Sequence, residues 1–249
     1  MFFTFNGISS TDPNFGITSV TSVIRQLLPA VRDRFLEIAG RPGIWDFGRD
    51  LGAGSIRVTF VVVGATRAEL RARTRNIAQW LNQGMVKPLI FSDEADKQYL
   101  ARVASEVSVT ETGSTAFCHV TFMIPDFYAS ALPPDTSVAV NVPAINGGTI
   151  DTDLRIQLLQ TVGNIPNLTI TLQPTGDFIR ILTEILVGDS ISIASANRTA
   201  ELTRGAVLID LSRHISIEST FFKLPVGSFT VQTSSANTTG NVFFRRRYA

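Results

Sequence analysis

One cysteine, Cys118, and two histidines, His119 and His214, are the whole supply of thiol and imidazole in 249 residues. A lone thiol closes no intrachain disulfide, so nothing forces synthesis into an oxidising compartment. Neither histidine has a second His or Cys at metal-ligand spacing, which argues against a zinc site. Charged residues make up only 17% of the chain, below the roughly 25% of ordinary soluble domains. A lightly charged chain is not a disordered one, and large interfaces are depleted in charge. The net charge of +1 provides no global field toward nucleic acid or anionic lipid. Lysine occurs only at Lys87, Lys97 and Lys223. The remaining basic residues are arginines, suited to bidentate pairing at interfaces, although a compositional bias of the source genome accounts for them equally well.

Chemistry-bearing motifs are absent too. There is no Gly-x-Ser-x-Gly elbow, no phosphate-binding loop and no dinucleotide fingerprint after a strand. Asp151 and Asp153 lie on one side of an extended segment, whereas a glycosidase needs two acids across a sugar from each other. The acids of Ser92–Asp96 lack the spacing, central glycine and final glutamate of a calcium loop, and suit a charged hairpin tip. The amino terminus has no basic region ahead of its apolar start, and the longest apolar run, Val58 to Ala65, is broken by Thr59. Neither a secretory signal nor a membrane-inserting helix is expected. The chain reads as a non-enzyme without cofactor or metal.

What is present is mostly β pattern. Ile56, Val58, Phe60 and Val62 alternate with Arg57, Thr59, Val61 and Val63, the period of a strand. Strands are also expected over Lys87–Phe91, Tyr99–Val109 and Ala116–Ile124. In the last, Cys118 alternates with core positions and His119 points the other way. One clear helix interrupts this pattern over 66–83. Thr66 and Glu69 form a capping box, and Leu70, Thr74, Ile77 and Leu81 share one face. Arg67, Arg71 and Arg75 form a basic stripe, and Gly84 stands where a left-handed C-cap belongs. That stripe could touch nucleic acid, but a solvated face or a subunit contact is the commoner use.

Residues 131–145, with Pro133-Pro134 and Pro143, have the composition of a connector. From Asn146 onward no capped helical pattern recurs. Short strands follow at sandwich spacing over Leu154–Leu158, Leu168–Leu172, Phe178–Leu182, Ser190–Ile193, Ala206–Asp210, Phe229–Gln232 and Val242–Arg246. Asp177–Leu186 could be a short helix by spacing, but the sandwich makes it a strand. The fold class is therefore mainly β, an amino-terminal β-rich α+β module over 1–130 and a sandwich over 146–249.

The order of the pieces is more informative than any one of them. Phe5-Asn6-Gly7-Ile8-Ser9-Ser10 with Gly16-Ile17 resembles the opening of the distal tail protein family of long-tailed phages with non-contractile tails. The resemblance continues in Gly40-Arg41-Pro42-Gly43, in the helix ending Trp80-Leu81, and in Leu89-Ile90-Phe91-Ser92-Asp93-Glu94 with Tyr99. Pro125-Asp126-Phe127-Tyr128 closes the first module. In the second, Asn146-Gly147-Gly148-Thr149, Phe222-Lys223-Leu224-Pro225-Val226-Gly227 and Phe243-Phe244-Arg245-Arg246-Arg247-Tyr248 are similar to the family's galectin-like domain. Asp153-Leu154 stands where the family often has a proline, and Val226 separates Pro225 from Gly227.

The resemblance implies a structural virion protein at the distal end of the tail, assembled in the host cytoplasm. It implies a homo-hexameric ring closed by the amino-terminal modules, with a channel through which DNA passes. Its expected partners are the tail tube protein, a tail-tip protein and a receptor-binding protein carried by the galectin-like modules. Arg57, Arg67, Arg71, Trp80, Trp45 and Phe47 are the candidate interface residues. The Gly40–Gly54 segment is either an arm reaching a neighbour or a loop folded over its own core. The alternative function is recognition of a host-surface glycan, for which Phe221 and Phe222 are the candidate stacking residues.

Overall fold

Alternating apolar residues at Ile56–Val62 and Ala116–Ile124 need a strand partner and a covering layer, and each supplies the partner to the other. In the computed structural model, Gly54–Val63 pairs antiparallel with Thr115–Ile124 along its whole length, Val58 opposite Val120. The structure describes residues 1–104, 107–132 and 135–249. It divides into two units, Met1–Ala129 with Ala249, and Ser130–Tyr248.

In the first unit the strands run in the order Ile8–Ser9, Phe3–Phe5, Lys87–Phe91, Lys97–Val103, Thr115–Ile124, Gly54–Val63 and Ile17–Arg25. Asn6 and Gly7, both at positive φ, make the two-residue turn between the first pair, which only residues tolerant of left-handed backbone allow. The helix spans Arg67–Leu81. Thr66 accepts from the Glu69 amide, and Glu69 reaches back to the amide of Ala65. It buries Leu70, Ile77, Trp80 and Leu81, whereas Thr74 turns its hydroxyl to the Arg71 carbonyl. Asn82, not Gly84, is the C-cap. Its amide bonds Ala78, while the Gln83 side chain caps the carbonyl of Trp80, so no left-handed residue is required.

Trp80 is the centre of the first core. It is 4% exposed, stacks on Phe15 at 4.6 Å and on Phe3 at 5.5 Å, and donates its indole N–H to the Phe5 carbonyl. Cys118 is buried in the same core, which pushes its thiol up to about 11. His119 lies on the opposite face and pairs with Thr59. The expected single strand Tyr99–Val109 is divided. Lys97–Val103 and Ser108–Thr112 are separate strands, and Ser105 and Glu106 lie outside the described residues.

The second unit is a sandwich. One sheet orders Thr136–Ala139, Thr238–Phe244, Leu154–Gln160, Ser190–Ala194, Thr199–Arg204 and Val207–Asp210; the other orders Ala144–Asn146, Gly227–Thr233, Leu168–Gln173 and Phe178–Ile181. Their inner faces share one core, in which Ile156, Leu158, Ile191 and Val242 meet Leu168, Ile170, Leu172 and Val231. Thr199–Arg204 escapes a sequence reading because its inward residues are only Ala200 and Leu202 among polar neighbours. Residues 131–145, expected to be a connector, contain two of these strands, and Pro133-Pro134 lie outside the described residues.

A buried polar network ties the loops at one end of this sandwich. Asp189, 2% exposed, accepts from the Arg204 guanidinium and from the Leu186 amide. Gln160 bonds the backbone of Asp189, Val162 and Gly163, and accepts from the Thr238 hydroxyl at 2.6 Å.

Two outcomes follow from this packing. Replacing Trp80 by Ala removes the shared aromatic contact and leaves the Phe5 carbonyl without its donor. Chemical denaturation should show a loss of about 3–5 kcal/mol. For Asp189, the Arg204 hydrogen bonds, opposed by burial and aided by the Leu186 amide, hold its carboxyl below its ordinary 3.8. The stabilisation is therefore complete above the unfolded value and is lost as pH falls through the lower folded one. Asp189→Asn should cost about 2 kcal/mol at pH 7, a gap that narrows progressively below about pH 4 in urea titrations.

Candidate functional site

Apolar side chains at Phe35, Leu36, Ile44, Trp45 and Phe47 have no strand or helix of their own unit to cover them. Val31–Glu37 and Ile44–Leu51 form a two-stranded hairpin that joins no other sheet among the described residues. Every residue of its two strands is exposed except Asp50, which is half-buried. Trp45 is 49% and Phe47 62% exposed. The sequence left Gly40–Gly54 open between an arm and a loop over its own core. The segment forms one strand of a projecting hairpin and covers no core.

Register sorts the side chains. Val31 faces Leu51, Asp33 faces Arg49, and Leu36 faces Trp45, with one irregularity between Asp33 and Phe35. Because successive residues alternate across a strand and opposed residues share a face, Val31, Phe35, Ile44 and Leu51 lie on one face, and Leu36 and Trp45 lie on the other. Charged residues are interspersed on both, Asp33, Glu37, Asp46 and Arg49 on the first and Arg32 and Asp50 on the second. Local contacts hold this shape: Arg34 bonds Asp50, Arg41 lies 4.9 Å over the Trp45 ring, and the Gly52 amide bonds Ala30 at the base. Leu27 and Leu28, beside the base, are exposed as well. The hairpin thus exposes apolar side chains on both faces and carries an internally balanced charge.

The other candidate interface residues separate into two groups. Arg57 and Arg71 are exposed and have no side-chain partner among the described residues. Arg67, also exposed, lies 3.7 Å from Glu111. Trp80 is a correction, since the ring expected at an interface lies inside its own core with its N–H already bonded. Its position three residues after Ile77 puts it on the helix's buried face, where Phe3, Phe5 and Phe15 enclose it.

The glycan candidates are corrected in the same way. Phe222 is 4% exposed within the sandwich core, and Phe221 is half-buried against that core. The Phe222 ring presents no free stacking face, and the Phe221 ring is held partly against the core. Their segment instead supports the fold. Leu224 exchanges both backbone hydrogen bonds with Thr152, and the buried Asn146 side chain bonds Leu224, Pro225 and the Gly148 amide. The Thr152 hydroxyl bonds Arg245 at 2.6 Å. At Gly148 a Cβ would meet the Arg247 carbonyl at 2.6 Å, which explains the glycine. Three stretches far apart in the sequence, near 146–152, 222–227 and 245–247, thus interlock. Among the described residues no group of three or more His, Cys, Asp or Glu could hold a metal ion.

Residues 13–124 match the phage tail protein RIFT-related domain, and residues 147–248 match the C-terminal domain of the siphovirus-type tail component. A comparison with curated proteins finds no match. Among solved structures, the chain is similar to the crystal structure of the Dit protein of phage SPP1, described as a paradigm of the hub adsorption apparatus in phages infecting Gram-positive hosts. The TM-score is 0.79 at 18% identity, covering 100% of this chain and 99% of that one. Structures of the phage p2 baseplate in its activated conformation also align, with strontium at TM-score 0.44 and 12% identity over 99% and 96% of the chains, and with calcium at 0.42 and 12% over 94% and 90%. With both units matched in order along nearly the whole length, the chain belongs to the distal tail protein family of siphophages and is a structural component of the phage tail.

Proposed function

We propose that the protein is the hub of the distal tail, a closed ring of copies that joins the tail tube to the tail-tip proteins and lets DNA pass through its channel. The observation that carries this reading is the exposed hairpin. A ring with head-to-tail contacts needs two different complementary patches on each subunit, and an apolar arm is a ready donor for one of them. Burying Trp45, Phe47 and Leu36 on a neighbouring copy would remove apolar surface from water that the isolated chain leaves hydrated. The unpaired arginines Arg57 and Arg71, with Arg67, are the polar contacts proposed around that seam.

Six copies is the number the family resemblance implies. A net charge of +1 suits a channel that DNA traverses without being held, because phosphate binding requires a cluster of cations. The role is structural and non-catalytic, in the virion at the end of the tail, after assembly in the host cytoplasm. The second unit is proposed to carry receptor-binding proteins.

Light scattering on the purified chain, with negative-stain images of the same fraction, tests this. Six copies of the 27.1 kDa chain give about 163 kDa, and a ring at that mass or twice it is expected. Trp45→Ser with Phe47→Ser should shift the mass to smaller species while leaving the circular-dichroism spectrum of the folded subunit unchanged, since neither side chain belongs to a core. A wild-type monomer at micromolar concentration, or a ring indifferent to both substitutions, would sink the proposal.

A further inference from the structure

Gln157, Asn241, Ser190 and Thr239 bring unpaired amides and hydroxyls together on the outer face of the six-stranded sheet. Gln157 lies directly opposite Asn241, and Leu159 lies between Thr239 on one side and Ser190 on the other. Directly opposed residues of an antiparallel pair hold their Cβ atoms about 5 Å apart, so these four polar groups converge on one small area. They border a groove of about 610 Å³ whose lining also includes Ala139, Asn141 and Leu159.

The polar groups around the groove divide by what satisfies them. Those that shape it are bonded within the fold. Asn141, at φ 63, donates to the Thr233 hydroxyl at 3.0 Å and accepts the Thr233 amide at 2.9 Å, fixing one wall. Thr238 is bonded to the buried Gln160, fixing the other end. At Gly240 a Cβ would collide with the Gln157 carbonyl, so only glycine allows the two central strands to approach this closely. The side chains of Gln157, Asn241, Ser190 and Thr239, by contrast, have no partner among the described residues.

We infer that this groove binds a neutral saccharide, through the amides of Gln157 and Asn241 and the hydroxyls of Ser190 and Thr239. No ionisable residue lines it, so a phosphate, a nucleic acid or an acidic sugar would find no counter-charge. Side-by-side amides offer donors and acceptors together, which is what vicinal sugar hydroxyls require. Leu159, 44% exposed, offers an apolar contact for the C–H face of a pyranose. Glycan contact therefore moves from Phe221 and Phe222, which the fold consumes, to a face that the sequence reading did not single out. The inference is independent of ring formation.

Saturation-transfer NMR on the full chain, with galactose, glucose, N-acetylglucosamine and glucuronate as probes, tests it. Saturable transfer from at least one neutral sugar at millimolar concentration is expected. Asn241→Ala and Gln157→Ala should each weaken that affinity about fivefold, the effect of one neutral hydrogen bond. Both positions are exposed, so an unchanged thermal midpoint and an unchanged assembly mass verify that the variants remain folded and assembled. No transfer from any probe overturns the inference, as does affinity indifferent to both substitutions or a preference for glucuronate.

Discussion

The hairpin of Val31–Glu37 and Ile44–Leu51 holds apolar side chains on both faces in water, and two strands are too few to bury a face of their own. Both units complete their cores without it, the first around Trp80 and the second between two sheets. Its tryptophan, phenylalanines and leucines therefore belong to neither core. Charge within the hairpin is balanced by its own pairs, such as Arg34 with Asp50, so apolar area, not net charge, distinguishes its surface. Residues that build a core are thereby separated from apolar residues that stay exposed, and this separation organises the rest of the molecule.

The same separation recurs in the sandwich. Asp189, Gln160, Thr238 and Asn146 are buried polar groups with their bonds made inside the fold, as the cost of an unsatisfied buried group demands. They hold the loops and the sheet edges at defined positions. On the outer face of the six-stranded sheet the polar groups carry no such duty. Phe222 and Phe221, aromatic and adjacent, belong to the folding set, whereas Gln157 and Asn241 do not.

Much of this was visible in the chain itself. Alternation located the strands at Gly54–Val63, Thr115–Ile124 and Leu154–Gln160, and the Thr66–Glu69 cap located the helix start to the residue. These signals are local, because a buried face imposes its period on the residues that form it. The hairpin strand Val31–Glu37 gave no period because neither of its faces is buried in its own unit. Thr199–Arg204 was hidden for a related reason, with only Ala200 and Leu202 pointing inward.

By itself the sequence determined the β-rich class, the single capped helix, the burial of Cys118 and the ordered motifs of the family. These depend on periodicity and on turn chemistry carried by neighbouring residues. Tertiary structure alone decided which aromatics are free: Phe222 is enclosed by segments distant in the chain, while Trp45 and Phe47 are not. It alone set Gln157 beside Asn241, because strand register joins residues whose separation in sequence carries no local signal.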